Sequence, residues 1–196
     1  MKKRLVVFAK DPVLGKAKTR LAKGVGIVHA KRHYRAMMAK ILRGLKDPRW
    51  HIQLAVTPPS SIGEVRDWDG FEQLAQVSGS LSPRLVAMFQ GMEPTLVIGT
   101  DAPQVTCHDI DMAFKALAPN RLVIGPADDG GFWLIGALGP LPKEMFDNIR
   151  WSHAKTLKDL EKNSHSLGYD IHYLRELRDI DDIEALRDYQ SMTVKF

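Results

Sequence analysis

Basic side chains are concentrated near the N-terminus, around a glycine, at Lys10, Lys16, Lys18 and Arg20. Gly15 allows the backbone to approach a ligand closely. Ammonium and guanidinium groups so close together can bind phosphate oxygens, and arginine can hold two at once. The spacing of a Walker A loop is absent, and Gly24 and Gly26 lack the third glycine of a dinucleotide fingerprint. From composition alone, a solvated surface loop explains the segment equally well.

Carboxylates follow two later apolar runs. Asp101 stands after a buried run and before Pro103, where it is a natural ligand for Mg²⁺, which prefers one or two carboxylates plus phosphate oxygens. Asp128 and Asp129 precede two glycines and could bind a metal, orient a substrate hydroxyl or act as a base. Each feature also has a plainer explanation, since aspartate caps turns and an acidic pair before glycine forms a tight turn.

A third acidic segment contains Asp179, Asp181 and Asp182, directly before the last apolar-periodic stretch. Acidic groups at a helix N-terminus are favoured by the helix dipole. This segment therefore has a structural explanation as well as a possible role as a ligand.

Short apolar runs alternate with amphipathic segments along the chain. Strands are predicted at 5–9, 51–56, 71–77, 95–99, 122–124, 132–135 and 171–174. Helices are predicted at 30–45, 84–89, 106–117, 156–167 and 183–189. The second of these is expected to begin at Ser82 and Pro83, the third to have a capping box of Thr106 and Asp109. Residues 10–26 are predicted to be a loop.

This alternation predicts an α/β fold, a three-layer α/β/α sandwich with a mostly parallel sheet. The first strand is expected to be the central one, and the run at 132–135 looks like the antiparallel partner in a hairpin. Ligands bind at the carboxyl ends of the strands in such sheets. The basic stretch and the first two acidic features all follow predicted strands, so we expect them to share one site.

Composition sets broad limits. The chain has 196 residues, 44% hydrophobic and 26% charged, which predicts one domain spanning residues 1–196. A net charge of +5 favours an anionic ligand. The single cysteine excludes an intramolecular disulfide. The first apolar run is too short for a signal peptide, and no run approaches the roughly 20 residues of a membrane span, so we expect a cytoplasmic protein without a membrane partner.

Four motifs together resemble a known family. They are Lys10-x-Pro12-x-x-Gly15-x-x-Lys18-Thr19-Arg20-Leu21, Gly99-Thr100-Asp101-Ala102-Pro103, Gly125-Pro126-Ala127-Asp128-Asp129-Gly130-Gly131-Phe132-Trp133-Leu134-Ile135-Gly136 and Asp179-Ile180-Asp181. The chain is thereby similar to a bacterial glycosyltransferase-A-fold family described as radical-SAM/selenodomain-associated transferases or arsenosugar-biosynthesis glycosyltransferases. The superfamily, that of nucleotide-diphospho-sugar transferases, includes molybdenum cofactor guanylyltransferase and phospholactate guanylyltransferase. The resemblance runs from about Leu5 to Leu186.

The resemblance implies roles for particular residues. Lys18 and Arg20 would face the nucleotide phosphates, and Asp101 and Asp181 would hold Mg²⁺ or Mn²⁺. The remaining nucleotide-binding candidates are Ala9, Lys10, Gly15, Gly79 and Thr100. The acceptor-binding candidates are Gly130, Gly131 and Trp151, with Asp101, Asp128 and Asp129 as the catalytic ones.

One segment departs from the family pattern. The usual Gly-Asp-Leu-Gly-x-Arg stretch is replaced here by Gly79-Ser80-Leu81-Ser82-Pro83-Arg84. An acid and a glycine are thus exchanged for serines. If this segment contacts the base or sugar, the donor differs or the activity is weakened.

The leading hypothesis is a metal-dependent transferase that binds a nucleotide-sugar donor and a small-molecule acceptor, most simply a glycosyltransferase. The first alternative is a nucleotidyltransferase that releases pyrophosphate from a nucleoside triphosphate, since both reactions depend on positioning and charge neutralisation. The second is a nucleotide-binding protein without turnover. Nucleic acid is not an expected partner, because no aromatic platform accompanies the basic residues. The oligomeric state stays open.

Overall fold

The computed structural model describes residues 2–13 and 18–193. Within them, seven strands form one sheet: β1 (Lys3–Lys10), β2 (Trp50–Thr57), β3 (Glu72–Ala75), β4 (Pro94–Ile98), β5 (Arg121–Pro126), β6 (Phe132–Leu138) and β7 (Asp170–Tyr173). The helices are α1 (Thr19–Val25), α2 (Ile27–Gly44), α3 (Leu81–Met88), α4 (Cys107–Ala116), α5 (Thr156–Ser166) and α6 (Ile183–Thr193). Every predicted strand and helix is present, with shifted ends.

The strands are ordered β3-β2-β1-β4-β6-β5-β7. All are parallel except β6, which is antiparallel to β4 on one side and to β5 on the other. The mostly parallel sheet with an antiparallel hairpin strand is therefore confirmed. The expectation for the first strand was wrong in one respect: β1 is an interior strand, but β4 occupies the middle of the sheet.

Two apolar cores cover the two faces of the sheet and confirm the three-layer architecture. In β1, Leu5 and Val7 pack into the core that includes Ile41 of α2 and Ile110 of α4. Val6 lies in the opposite core, with side chains of α3 and α5. Successive side chains of a strand point to opposite faces, so the continuous apolar run of β1 reflects burial on both sides. Among the described residues, no helix is both long and apolar enough to cross a membrane.

The prediction of one continuous loop from Lys10 to Gly26 was wrong, because Thr19–Val25 form α1. Leu21 is fully buried there, in a small third core that includes Ile180 and Leu186. Gly24, which favoured a loop, is instead a packing position: a Cβ on it would lie 3.1 Å from Ile183. Tertiary packing thus outweighs the low helix propensity of glycine.

Two of the predicted helix starts differ in outcome. The capping box of Thr106 and Asp109 at the start of α4 is confirmed. The predicted start at Ser82 and Pro83 was wrong, because α3 begins at Leu81 with Ser80 as its cap. Proline in the first turn removes no hydrogen bond within the helix, so Pro83 is accommodated there. The hydroxyl of Ser82 donates to the carbonyl of Phe146 at 2.7 Å instead of capping the helix.

Candidate functional site

A cleft of about 540 Å³ opens where the carboxyl ends of the parallel strands meet. It is lined by Lys10, Lys18, Arg20, Tyr34, Leu81, Thr100, Asp101, Asp129, Gly131, Phe132, Trp151, Ser152, Thr156, Asp179 and Asp181. This volume lies in the range of small-molecule and cofactor sites. The acidic and basic residues of this lining come from the end of β1, the segment after β4, the start of α1, the turn between β5 and β6, and the segment before α6.

The end of β1 is fixed by a tyrosine from α2. The buried hydroxyl of Tyr34 accepts a hydrogen bond from the Lys10 amide at 3.0 Å and donates one to the Lys10 carbonyl at 2.8 Å. Burial raises the pKa of Tyr34 to about 12, so the phenol stays protonated. The exposed Lys10 side chain is thereby carried by a rigid backbone at the mouth of the cleft.

Lys18 lies at the centre of the charged region. Its ammonium forms an ion pair with Asp101 Oδ1 at 2.7 Å and donates hydrogen bonds to Asp181 Oδ1 at 2.8 Å and to the carbonyl of Ile180 at 2.7 Å. The lysine is the cap residue of α1 and has left-handed backbone angles, φ 51° and ψ 51°. Three chain segments, after β1, after β4 and before α6, therefore meet on one cation.

The two carboxylates are brought together by the backbone. The amide of Ile180 donates to the carbonyl of Asp101 at 2.8 Å, and the Ile180 side chain is fully buried. Arg175, earlier in the same segment, binds the buried carboxylate of Asp109 through two hydrogen bonds, of 2.6 and 2.8 Å. These contacts hold residues 175–181 against the end of β4.

Opposing effects act on the Lys18 ammonium. Burial alone lowers its pKa, yet the charges of Asp101 and Asp181 and the hydrogen bonds to them together leave the pKa above its usual value. The side chain is 5% exposed, whereas those of Asp101 and Asp181 are 43% and 38% exposed. Lys18 is thus a charged, nearly enclosed group whose two partners still face the cleft.

Asp179 is a second perturbed group of the cleft. Burial raises its pKa to about 7, and the nearby charges of Asp101, Asp129 and Asp181 add to this effect. Close carboxylates cannot all ionise at low cost. The Asp179 carboxyl can therefore hold a proton near neutral pH beside three acidic neighbours.

The acidic pair lies in the turn between β5 and β6, but its two members differ. Asp129 is exposed, lines the cleft and accepts a hydrogen bond from the Gly131 amide at 2.8 Å. Asp128 is not among the lining residues and lies 3.6 Å from Arg178. Of the two, only Asp129 is placed to meet a bound molecule.

An aromatic wall, formed by Phe132 and Trp151, lines part of the cleft. The rings of Phe132 and Trp151 contact each other edge to face, with centroids 6.2 Å apart. The indole N–H of Trp151 donates to the hydroxyl of Ser82 at 3.0 Å. Ser82 belongs to the segment that departs from the family pattern, so this departure affects the orientation of a cleft residue.

Other candidates from the sequence lie around the cleft in different ways. Thr100 lines it, and Arg20, with a 71% exposed side chain, lies at its edge, 4.0 Å from Asp181. Ala9 is fully buried, and neither Ala9 nor Gly79 lines the cleft. Gly15 falls outside the described residues.

Gly130 does not line the cleft but allows the acidic turn to pack closely on a neighbouring segment. It has φ 84°, and a Cβ on it would lie 2.3 Å from the carbonyl oxygen of Ala154. Its own carbonyl accepts a hydrogen bond from the Leu157 amide at 2.9 Å. Gly130 therefore packs the acidic turn against the start of α5, while Gly131 lines the cleft itself.

Sequence reasoning missed several lining residues. Tyr34 falls within the helix predicted at 30–45 and has no predicted site role, and Asp179 is predicted only as part of an acidic segment. Leu81, Phe132 and Thr156 were likewise not singled out. A tyrosine among apolar helix positions is a weak signal of a positioning role, because its hydroxyl needs a hydrogen-bond partner when buried. The other lining residues reach the cleft only through the packing of remote segments, which no local pattern predicts.

The residues present fit one kind of metal site. Among the described residues, no group of three or more histidine, cysteine, aspartate or glutamate side chains is arranged to hold a metal ion. Asp101 and Asp181 nevertheless converge on a single cation, the Lys18 ammonium. Mg²⁺ commonly takes one or two carboxylates and completes its shell with water and substrate phosphates, so this pair suits an ion that is shared with a ligand.

The fold has clear counterparts among solved structures. A protein from Desulfovibrio desulfuricans G20, provisionally described as a nucleotide-diphospho-sugar transferase, is 26% identical, with a TM-score of 0.91 over 100% of this chain and 89% of that one. A nucleotidyl transferase from Methanothermobacter thermautotroptrophicus is 14% identical, with a TM-score of 0.63 over 99% and 98%. A CMP:2-keto-3-deoxy-manno-octonic acid synthetase complexed with CTP is 14% identical, with a TM-score of 0.60 over 100% and 99%.

Sequence comparison identifies a family whose description states no activity. The family model described as "Uncharacterized protein conserved in bacteria (DUF2064)" matches residues 41–153, more than half of the chain. None of the curated proteins matches the sequence. The matched segment includes Asp101 and the acidic turn, whereas Lys18 and Asp181 lie outside it.

Proposed function

Since this chain belongs to the bacterial family DUF2064 and shares its fold with nucleotide-diphospho-sugar and nucleotidyl transferases, we propose that it is a metal-dependent transferase that uses a nucleotide-sugar. The observation that best supports this proposal is that Lys10, Lys18 and Arg20 lie in one cleft with Asp101 and Asp181, at the carboxyl ends of the strands.

The donor would lie with its phosphates at the basic side of the cleft. Lys10 and Arg20 are exposed there, and their charges can stabilise the negative charge that grows on a leaving phosphate. Thr100 and the backbone near Lys10 would frame the same end. Asp101 and Asp181 would hold Mg²⁺ or Mn²⁺, which when bound neutralises phosphate charge and favours departure of the leaving group.

The acceptor would lie on the aromatic side. Phe132 and Trp151 offer ring faces, and Asp129 lies on the same side with its carboxylate exposed. In glycosyl transfer, an acceptor hydroxyl would give its proton to Asp129 while its oxygen bonds to the sugar carbon. The bond from that carbon to the phosphate oxygen would break, releasing a nucleoside diphosphate.

A nucleotidyltransferase is the second candidate, because one of the similar structures is described as a nucleotidyl transferase and another as a synthetase complexed with CTP. In that reaction, an anionic acceptor would attack the α-phosphate of a nucleoside triphosphate and displace pyrophosphate. The same cations and carboxylates would serve both reactions. Product identity separates the two: nucleoside diphosphate supports glycosyl transfer, and pyrophosphate supports nucleotidyl transfer.

A thermal-shift screen of nucleotides and nucleotide-sugars, each with and without Mg²⁺ or Mn²⁺, tests the proposal. A ligand that binds only the folded state raises its melting temperature. At least one nucleotide should stabilise the protein in a metal-dependent way, and Asp101→Ala should abolish most of that shift. Asp69→Asn, at an exposed residue away from the cleft, is the matched control and should retain it.

Two outcomes would contradict this function. If no nucleotide shifts the melting temperature with either metal, nucleotide binding itself is wrong. If nucleotides bind but a broad panel of donors and acceptors gives no product, the chain is a nucleotide-binding protein without turnover.

A further inference from the structure

We propose that Lys18 occupies the metal position of the free protein, so that a divalent ion binds only when nucleotide phosphates draw the ammonium away. The part played by the phosphates rests on the proposed function. The part played by Lys18 does not, because it concerns the metal and this chain alone. Lys18 would then decide the order of binding: the ion enters with the nucleotide and not before it.

The geometry places the ammonium where a shared ion would lie. It contacts one oxygen of Asp101 at 2.7 Å and one of Asp181 at 2.8 Å, and it donates a hydrogen bond to the carbonyl of Ile180 at 2.7 Å. An ammonium group has three hydrogens to donate, and three oxygens surround this one. The ammonium therefore fills the position between the two carboxylates that a shared ion would take.

Electrostatics make the competition strong. Two unit charges 4 Å apart repel by roughly 4 kcal/mol in surroundings like a protein surface, and a divalent ion would feel twice that from the ammonium. The Lys18 side chain is only 5% exposed, so water screens little of this repulsion. A metal ion therefore has to displace the ammonium.

The balance of charge in the cleft explains why phosphates would release the lysine. Its lining includes four carboxyl groups, of Asp101, Asp129, Asp179 and Asp181, against the three cations Lys10, Lys18 and Arg20. A polyphosphate that arrives alone is repelled by these carboxylates, and a metal ion that arrives alone is repelled by Lys18. When the two arrive together, the ion binds the two carboxylates, and the phosphate oxygens become new hydrogen-bond acceptors for the ammonium.

Titration with Mn²⁺ alone, followed by the electron paramagnetic resonance signal of the free ion, tests the role of Lys18 without any nucleotide. Wild-type protein should bind weakly, whereas Lys18→Met should bind Mn²⁺ at least about tenfold more tightly. Lys18→Arg retains the charge and should stay close to wild type. Lys10→Met removes a cleft charge that makes no ion pair with Asp101 or Asp181 among the described contacts, and should gain much less than Lys18→Met.

The double variant Lys18→Met, Asp101→Asn should lose the gain, because one of the two carboxylates is then neutral. The inference is overturned if Lys18→Met binds Mn²⁺ no more tightly than wild type, or if Lys10→Met gains as much. These results bear on Lys18 whatever the thermal-shift screen shows. A tighter Lys18→Met variant together with a negative nucleotide screen would uphold the competition and reject the proposed function.

A second measurement on wild-type protein covers the case in which Lys18→Met does not fold. In protein with ¹³C- and ¹⁵N-labelled lysine, the Lys18 side-chain resonance should be unchanged by Mg²⁺ alone and should move when Mg²⁺ and pyrophosphate are added together. A shift of this resonance with Mg²⁺ alone would show that the ion enters unaided and would overturn the proposed order.

Discussion

The hydroxyl of Tyr34 satisfies both backbone polar groups of Lys10, as acceptor for its amide and donor to its carbonyl. The tyrosine belongs to α2 and the lysine ends β1, so one side chain joins the helix layer to the rim of the cleft. The basic side chain at the mouth of the cleft is therefore positioned from the core of the protein.

Tyr34→Phe should destabilise the protein by about 1–3 kcal/mol, because it removes two part-buried hydrogen bonds to the Lys10 backbone. Nucleotide affinity should fall as well, since the end of β1 loses its anchor. Denaturant unfolding and the thermal-shift assay measure the two effects. Tyr173→Phe is the control: its hydroxyl binds Glu161 on the surface, so a loss as large as that of Tyr34→Phe would contradict the prediction.

The raised pKa of Asp179 predicts that the stability of the protein depends on pH. Its pKa is raised to about 7, chiefly by burial, whereas an unfolded aspartate has a pKa of about 3.9. Between these values the folded state binds more protons than the unfolded chain, so the free energy of unfolding falls as pH rises. This contribution is complete at low pH and lost above about pH 7.

Asp179→Asn should therefore flatten the stability profile between about pH 4 and 7, by on the order of 2–4 kcal/mol at about 1.4 kcal/mol per pKa unit. Urea unfolding at several pH values measures the slope. Asp170→Asn, at an exposed position, should leave the wild-type slope unchanged. Equal slopes for wild type and Asp179→Asn would show that Asp179 is not perturbed in this way.

Gly130 and Gly139 have nearly the same φ, so substitutions at the two positions separate the cost of an unfavourable backbone angle from the cost of a steric clash. Gly130 and Gly139 have φ 84° and 85°, but a Cβ meets the Ala154 backbone at 2.3 Å only at Gly130. Gly139→Ala should cost about 1–2 kcal/mol. Gly130→Ala should cost at least about 1 kcal/mol more, because backbone must move. Thermal unfolding of both variants measures the difference, and equal losses would reject the close packing of the acidic turn on α5.

The hydrogen bonds of Ser82 predict that this residue orients Trp151 in the aromatic wall. Ser82→Ala removes the acceptor of the Trp151 indole N–H and the donor to the Phe146 carbonyl. Stability should fall by about 1 kcal/mol, and the Trp151 resonance of 5-fluorotryptophan-labelled protein should shift or broaden. Ser166→Ala, on an exposed hydroxyl, should leave that resonance in place. An unchanged Trp151 signal in Ser82→Ala would show that the serine does not orient the ring.

The sequence by itself determined the layers and the location of the cleft. Apolar runs alternating with amphipathic stretches required strands buried on both faces and helices outside them, and the acidic hairpin turn required an antiparallel strand. Because parallel strands end at the same edge, placing Lys10, Asp101 and Asp129 after strands was enough to bring them to one cleft.

Only the tertiary structure decided how those groups are paired. The helix at 19–25 forms because Leu21 is buried against Ile180 and Leu186, a contact across most of the chain that no local pattern records. The same packing carries Lys18 between Asp101 and Asp181. In the acidic turn, tertiary structure likewise places Asp129 in the cleft and Asp128 near Arg178. Such pairings depend on distances of a few ångströms between remote segments, whereas periodicity reports only which face of its own element a residue occupies.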